Sequence, residues 1–89
     1  MQDLMELGLG NYIRKKRKSL NLSITELASM VSISESTLSK IENNKIRQPK
    51  AVYIFRLSKA LNVSYELLLE LQGFDMEYIK YRDRRDNYR

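Results

Sequence analysis

The chain has no cysteine, no histidine and no tryptophan, and only one proline and three glycines in 89 residues. Without cysteine it cannot be cross-linked by disulfides, and without cysteine or histidine it lacks the usual ligands of a zinc site. The same gaps weigh against catalysis. There is no thiol or imidazole, no glycine-rich phosphate loop and no acidic cluster arranged for a metal. A Ser-Lys pair such as Ser39-Lys40 occupies successive helical positions, which point in different directions. Neither an enzyme nor a cofactor is expected. No stretch approaches the roughly 20 apolar residues that cross a bilayer. Residues 1–9 carry Asp3 and Glu6 instead of the positive charge of an export leader, so the expected location is cytoplasmic, with no membrane partner.

What the chain does have is charge in one place. The formal net charge is +5, and residues 14–50 hold nine Lys or Arg against three Glu, so the excess belongs to one region. A polyanionic partner fits that distribution. At this length and 43% hydrophobic content one compact core is possible, provided each element contributes a well-packed face.

Apolar residues recur at three- and four-residue spacing, which predicts an all-α fold. A first helix carries Leu9, Ile13 and Leu20 on one face and the run Arg14 to Lys18 over most of the rest, ending near Asn21. Ser23 and Glu26 stand at capping-box spacing before a second helix from Ile24 to Val31, whose inner face is Leu27, Ala28 and Val31. Ser32 and Ile33 make a tight turn, and Ser34 caps a third helix reaching Asn43. There Leu38 and Ile41 face inward, while Glu35, Ser36, Ser39, Lys40 and Asn43 face outward. Asn43-Asn44-Lys45 reads as a helix exit. Pro49 opens a fourth helix with apolar Val52, Phe55, Leu57 and Leu61, and Asn62-Val63 breaks it. Ser64 caps a fifth helix containing Leu67, Leu68 and Leu71, which Gly73 is expected to end. Residues 1–73 thus read as one domain, followed by a helical or partly disordered basic tail, residues 74–89, with room for a short extra helix.

Two short helices joined by a tight turn, with small Ala28 where they cross, form the constellation that carries chemistry. In such a unit the second helix presents its N-terminal half to base edges in the major groove. The residues Leu9-Gly10, Ile13-Arg14, Arg17, Ser23, Glu26-Leu27-Ala28, Ser34, Ser36 to Asn43, Lys45, Pro49, Leu57, Ala60 to Ser64 and Leu67-Leu68 carry a resemblance. From about Leu9 to Leu71 the sequence resembles the phage-repressor-like helix-turn-helix regulators, also called the xenobiotic-response-element class. It departs from them at Ser32, where the turn usually holds glycine, and at Ile24, where a phosphate-binding glutamine is common.

The resemblance implies a compact five-helix, lambda-repressor-like domain that binds a double-stranded DNA operator as a homodimer. It places Glu35, Ser36 and Lys40 at base-reading positions. Lysine can donate to guanine, a carboxylate can accept from cytosine N4, and serine can do either with little selectivity. Two readings of Glu35 stay open: base contact, or stabilisation of the helix N-terminus. The resemblance also implies that Ser23, Asn43 and Lys45 meet phosphates, that Lys50 approaches the adjacent backbone, and that Arg17 pairs with Glu42 inside the domain. For Arg14 and Lys16, phosphate proximity competes with a solvated helix face.

Of the six tyrosines, Tyr12, Tyr53 and Tyr65 fall within helices and read as packing residues. Phe74, Tyr78 and Tyr81 lie at helical spacing and read as cover for the core or as dimer contacts. The functional expectation is a transcriptional regulator, more specifically a repressor, on a pseudo-palindromic operator. The alternative is an antitoxin or interaction subunit of the same fold that binds a partner protein and regulates its own synthesis.

Overall fold

The computed structural model describes the backbone of residues 8–87 and, within them, every side chain except those of 74 and 78–87. Five helices follow one another: α1 Leu9–Ser19, α2 Ile24–Val31, α3 Glu35–Glu42, α4 Ala51–Leu61 and α5 Tyr65–Asn87. Among the described residues there is no strand.

Local chemistry sets the boundaries. Glu26 N–H donates to Ser23 Oγ at 3.0 Å while Ser23 N–H donates to the Glu26 carboxylate at 2.9 Å, so the capping box at the start of α2 is closed. Ser34 Oγ accepts from Thr37 N–H at 3.1 Å, and Ser64 Oγ accepts from Leu67 N–H at 2.9 Å. Each such cap stabilises its helix by about 1 kcal/mol. The exits use left-handed residues: Ser32 after α2, Asn44 just beyond α3 and Asn62 after α4 have φ of 54°, 62° and 56°. Asparagine tolerates this region, whereas a serine there costs roughly 1–2 kcal/mol.

The core takes Leu9 and Ile13 from α1, Leu27, Ala28 and Val31 from α2, and Leu38 and Ile41 from α3. Ile54, Leu57 and Leu61 of α4 and Leu68 of α5 complete it, and none of these residues is more than 3% exposed. α3 packs against both α1 and α2. Gly10 is where α1 meets α3: a Cβ there would overlap the Ile41 carbonyl oxygen and lie 2.7 Å from that of Glu42. The close approach therefore requires glycine.

Two expectations are corrected, at Leu20 and at Gly73, and on α4 the structure makes a choice that the sequence left open. Leu20, assigned to the inner face of the first helix, caps α1 at its C-terminus and is 43% exposed. On α4 the apolar residues Val52 and Phe55 are 45% and 48% exposed, and Ile54 turns inward with Leu57 and Leu61. Two apolar stripes share that helix, and packing against α2 and α5 selects one of them. Finally, α5 does not stop at Gly73 but continues to Asn87, so the division at residue 73 coincides with no break in the helix. Gly73 is exposed, without positive φ and with open space around it. Its cost inside a helix is only about 0.5–1 kcal/mol.

The continuation of α5 has a local consequence. Gly8 caps α1 without a side chain, and Asp75 on α5 supplies the missing acceptor, taking Leu9 N–H at 3.0 Å. A carboxylate at a helix N-terminus is favoured by the unpaired N–H groups there. The side chains of Phe74, Tyr78 and Tyr81, expected as dimer contacts, lie outside the described residues. No described helix is long and apolar enough to cross a membrane.

Candidate nucleic-acid interface

The second helix of the helix-turn-helix, α3, is fixed at both ends by its neighbours. At the N-terminal end the hydroxyl of Ser34 holds the first turn, and it also donates to Thr37 Oγ1 at 2.9 Å. Thr25 Oγ1 on α2 donates to the Glu35 carboxylate, tying the first residue of α3 to the helix it crosses. At the C-terminal end Glu42 is only 3% exposed and receives Arg17 Nε at 2.8 Å and Arg17 Nη2 at 3.0 Å. Arg17 Nη1 donates to the Leu22 carbonyl at 3.0 Å, so the guanidinium spans α1, the α1–α2 turn and α3. Its hydrogen bonds to Glu42 push it above even its usual high range, although burial acts the other way.

Arg14 completes this clamp. Its Nη2 donates to the Glu42 carbonyl at 3.3 Å and to Asn43 Oδ1, and its Nε lies 3.7 Å from the Glu42 carboxylate. Two cations therefore sit against the C-terminal end of α3, where the helix dipole favours positive charge. Asn43 in turn donates from Nδ2 to Ser39 Oγ at 3.2 Å. The clamp thus reaches one turn up the outward face.

Between these anchors, Glu35, Ser36 and Lys40 are exposed and Ser39 is half-buried. Ser36 and Lys40 stand four residues apart and so lie one above the other on one face. A short polar side chain and a long donor, spaced by a turn on a rigid rod, are suited to base edges in a major groove. Glu35 reaches the same face with one oxygen committed to Thr25.

The expected phosphate-contacting residues fall into two groups. Lys45 and Lys50 are exposed around the loop after α3, and Lys50 Nζ lies 5.8 Å from the centre of the Tyr53 ring. Lys16 is half-exposed on α1. Ser23, Arg14 and Asn43 instead hold internal partners: Ser23 closes the capping box, while Arg14 and Asn43 belong to the clamp on α3. Sequence reasoning missed Thr25, because the ten residues separating it from Glu35 carry no periodic signal and only the helix crossing brings them together. Ile24, at the position where the resembling family often has glutamine, is half-buried against the core.

The fold and this face define a helix-turn-helix DNA-binding domain. A helix-turn-helix family model matches residues 13–68, from α1 to the start of α5, and the chain belongs to that family of transcriptional regulators. It is similar to the HTH-type transcriptional regulator RghRB of Bacillus subtilis strain 168, itself uncharacterised, with 39% identity over 64 residues, covering 72% of this chain and 46% of RghRB. The chain thus spans about half the length of that relative. A crystal structure of SinR, the master regulator for biofilm formation, in complex with DNA matches with a TM-score of 0.65 and 34% identity, covering 68% of this chain and 97% of the other. A complex of SinR with SinI protein matches with a TM-score of 0.66 and 26% identity, covering 89% of this chain and 98% of that one.

Proposed function

We propose that this chain binds double-stranded DNA sequence-specifically as a homodimer and represses transcription. Two copies of α3 would enter successive major grooves of a pseudo-palindromic operator, roughly 34 Å apart. The observation that carries the reading is the outward face of α3. That face offers Glu35 and Ser36 in the first turn and Lys40 in the last to solvent, while Thr25 at one end and Arg14 and Arg17 at the other hold the helix on the body of the domain. A fixed helix with polar side chains pointing away from its own core is what base readout needs, because the donors must arrive already oriented.

In this reading Lys40 donates to guanine, Ser36 accepts or donates at a neighbouring base, and Glu35 accepts from cytosine N4. Lys45, Lys50 and Lys16 neutralise phosphates and set the register without reading sequence. Ser23 and Asn43 contribute to the same backbone contacts by holding the ends of α2 and α3. Arg14 acts chiefly through Asn43, since its guanidinium is already engaged there. Repression follows where the operator overlaps a promoter, because the bound dimer and polymerase compete for the same duplex.

Selection of bound duplexes from a random pool at physiological salt tests the proposal directly. The expected result is a two-fold related pair of half-sites separated by about one helical turn. Recovery of unrelated sequences, or of one unpaired half-site, would overturn the specific and the dimeric parts respectively.

A further inference from the structure

Glu35 opens α3, but its carboxylate does not serve as the cap of that helix. The cap is supplied by Ser34, whose Oγ takes Thr37 N–H at 3.1 Å. The Glu35 carboxylate reaches across the helix crossing instead and accepts from Thr25 Oγ1 on α2. Among the described residues no backbone N–H donates to it, and no lysine or arginine forms an ion pair with it. Both side chains are exposed. Water competes for each end of an exposed hydrogen bond, so this one adds little to the stability of the free domain. Its larger effect is on where the carboxylate points.

An ionised carboxylate only accepts, with room for about four hydrogen bonds on its two oxygens. Thr25 takes one place on one oxygen, which leaves the other for a donor on the DNA. In the major groove those donors are the amino groups of cytosine and adenine. Adenine carries its acceptor N7 beside the amino group, and N7 repels a carboxylate, so cytosine is the base that fits. Two costs oppose such a contact: phosphates push a glutamate outward, and ordering a long side chain on binding lowers affinity. A hydroxyl that holds the carboxylate in the free protein reduces both. Thr25 is suited to the task. It is the second residue of α2, whose start is fixed by the closed Ser23–Glu26 capping box, and a β-branched side chain has few rotamers in a helix.

We infer that Thr25 is a positioning residue for base recognition, its hydroxyl fixing Glu35 as an acceptor for cytosine N4 at one position of each half-site. The inference deepens the base reading proposed above for α3 and rests on it. Thr25 itself contacts no base in this arrangement. Specificity at that position is then a joint property of α2 and α3, written in two residues ten apart in sequence.

Competition binding tests the assignment, using duplexes that the wild-type chain selects from a random pool, with all four bases placed in turn at each half-site position. Glu35→Ala identifies the position that Glu35 reads. Thr25→Val and Thr25→Ala, which lack the hydroxyl, are each expected to lower the cytosine preference at that same position by roughly tenfold and to leave the pattern elsewhere as it is. Thr25→Ser, which keeps the hydroxyl, retains the preference. Joining Thr25→Val to Glu35→Ala lowers it no further than Glu35→Ala alone, since the hydroxyl acts only through the carboxylate. A merely structural role cannot give this pattern, because a loosened domain binds every sequence less well. Circular dichroism verifies that each variant is folded. If the Thr25 variants weaken every duplex by one factor, or keep a cytosine preference that Glu35→Ala removes, the assignment fails while base reading by Glu35 stands. If Glu35→Ala alters no base preference, the assignment fails and base reading passes to Ser36 and Lys40. A wild-type chain that selects no common sequence overturns the assignment together with the function proposed for α3.

Discussion

Arg17 and Glu42 meet through two hydrogen bonds, 2.8 and 3.0 Å long, with the carboxylate almost wholly withdrawn from solvent. The pair joins α1 to the last residue of α3, so it sets the tilt of the helix that meets DNA in the proposed complex. Withdrawing two charges from water consumes most of what their attraction returns, but removing one partner strands the other. Arg17→Met should therefore destabilise the domain by about 3 kcal/mol, at the lower end for a broken buried pair because Arg14 also lies near Glu42. Adding Glu42→Leu should recover part of that loss. Urea unfolding of the single and double variants measures both values, and a double variant less stable than Arg17→Met alone would contradict this account.

The two helical glycines described here predict opposite signs for the same substitution. At Gly10 a methyl group would collide with backbone carbonyls of α3. Gly10→Ala should cost about 1–3 kcal/mol through overpacking, despite the better helix propensity of alanine. At Gly73 the same methyl group meets open space, and Gly73→Ala should stabilise the chain by about 0.5–1 kcal/mol. Thermal melts of the two variants should therefore shift in opposite directions from wild type.

Features encoded over three or four residues were legible in the sequence. The caps at Ser23, Ser34 and Ser64 depend on side-chain to backbone bonds within one turn, and the exits at Asn44 and Asn62 on the left-handed conformation that asparagine tolerates, so a reader of the sequence sees all that each needs. Most of the core was legible for the same reason, since Leu27, Val31, Leu38 and Ile41 repeat with the helix. Where a helix offers two apolar stripes, as α4 does with Ile54 and Phe55, periodicity names both and selects neither. Gly73 misled because glycine marks a helix end only when the chain must adopt positive φ there. The family resemblance placed Arg17 opposite Glu42. The ties from Arg14 to Asn43 and from Thr25 to Glu35 join distant segments, and they become visible only when α1, α2 and α3 are assembled.

The capping box makes α2 sensitive to acid. Glu26 is held below the usual carboxylate range, first by the Ser23 backbone N–H and then by its side chain. A depressed folded-state value means that the ionised form is the one folding favours. Its stabilising contribution is fully present above the ordinary carboxylate value and is lost as pH falls through the lower folded-state value. Glu26→Gln keeps an oxygen acceptor but cannot titrate. The variant should be less stable than wild type at neutral pH, and the difference should shrink on acidification. Chemical unfolding of both proteins at several pH values checks this, and a gap that stayed constant with pH would remove Glu26 as its cause.

Lys40 and Lys45 are both exposed lysines close to the end of α3, yet they should respond differently to truncation. Lys40 stands one turn beyond Ser36 on the outward face of the helix, whereas Lys45 lies past the left-handed Asn44, where the chain has left the helix axis. In the proposed complex the first reaches a base and the second a phosphate. Lys40→Ala should then relax preference at one position in each half-site, costing about 1–3 kcal/mol on the preferred base and little on the others. Lys45→Ala should weaken binding to all sequences alike and reduce the dependence of affinity on salt by close to one counterion per site. Titrations of a panel of single-base operator variants at two salt concentrations separate the two behaviours. If Lys40→Ala lowered every affinity by the same factor, this lysine would belong with the phosphate contacts, and base reading by α3 would rest on Glu35 and Ser36 alone.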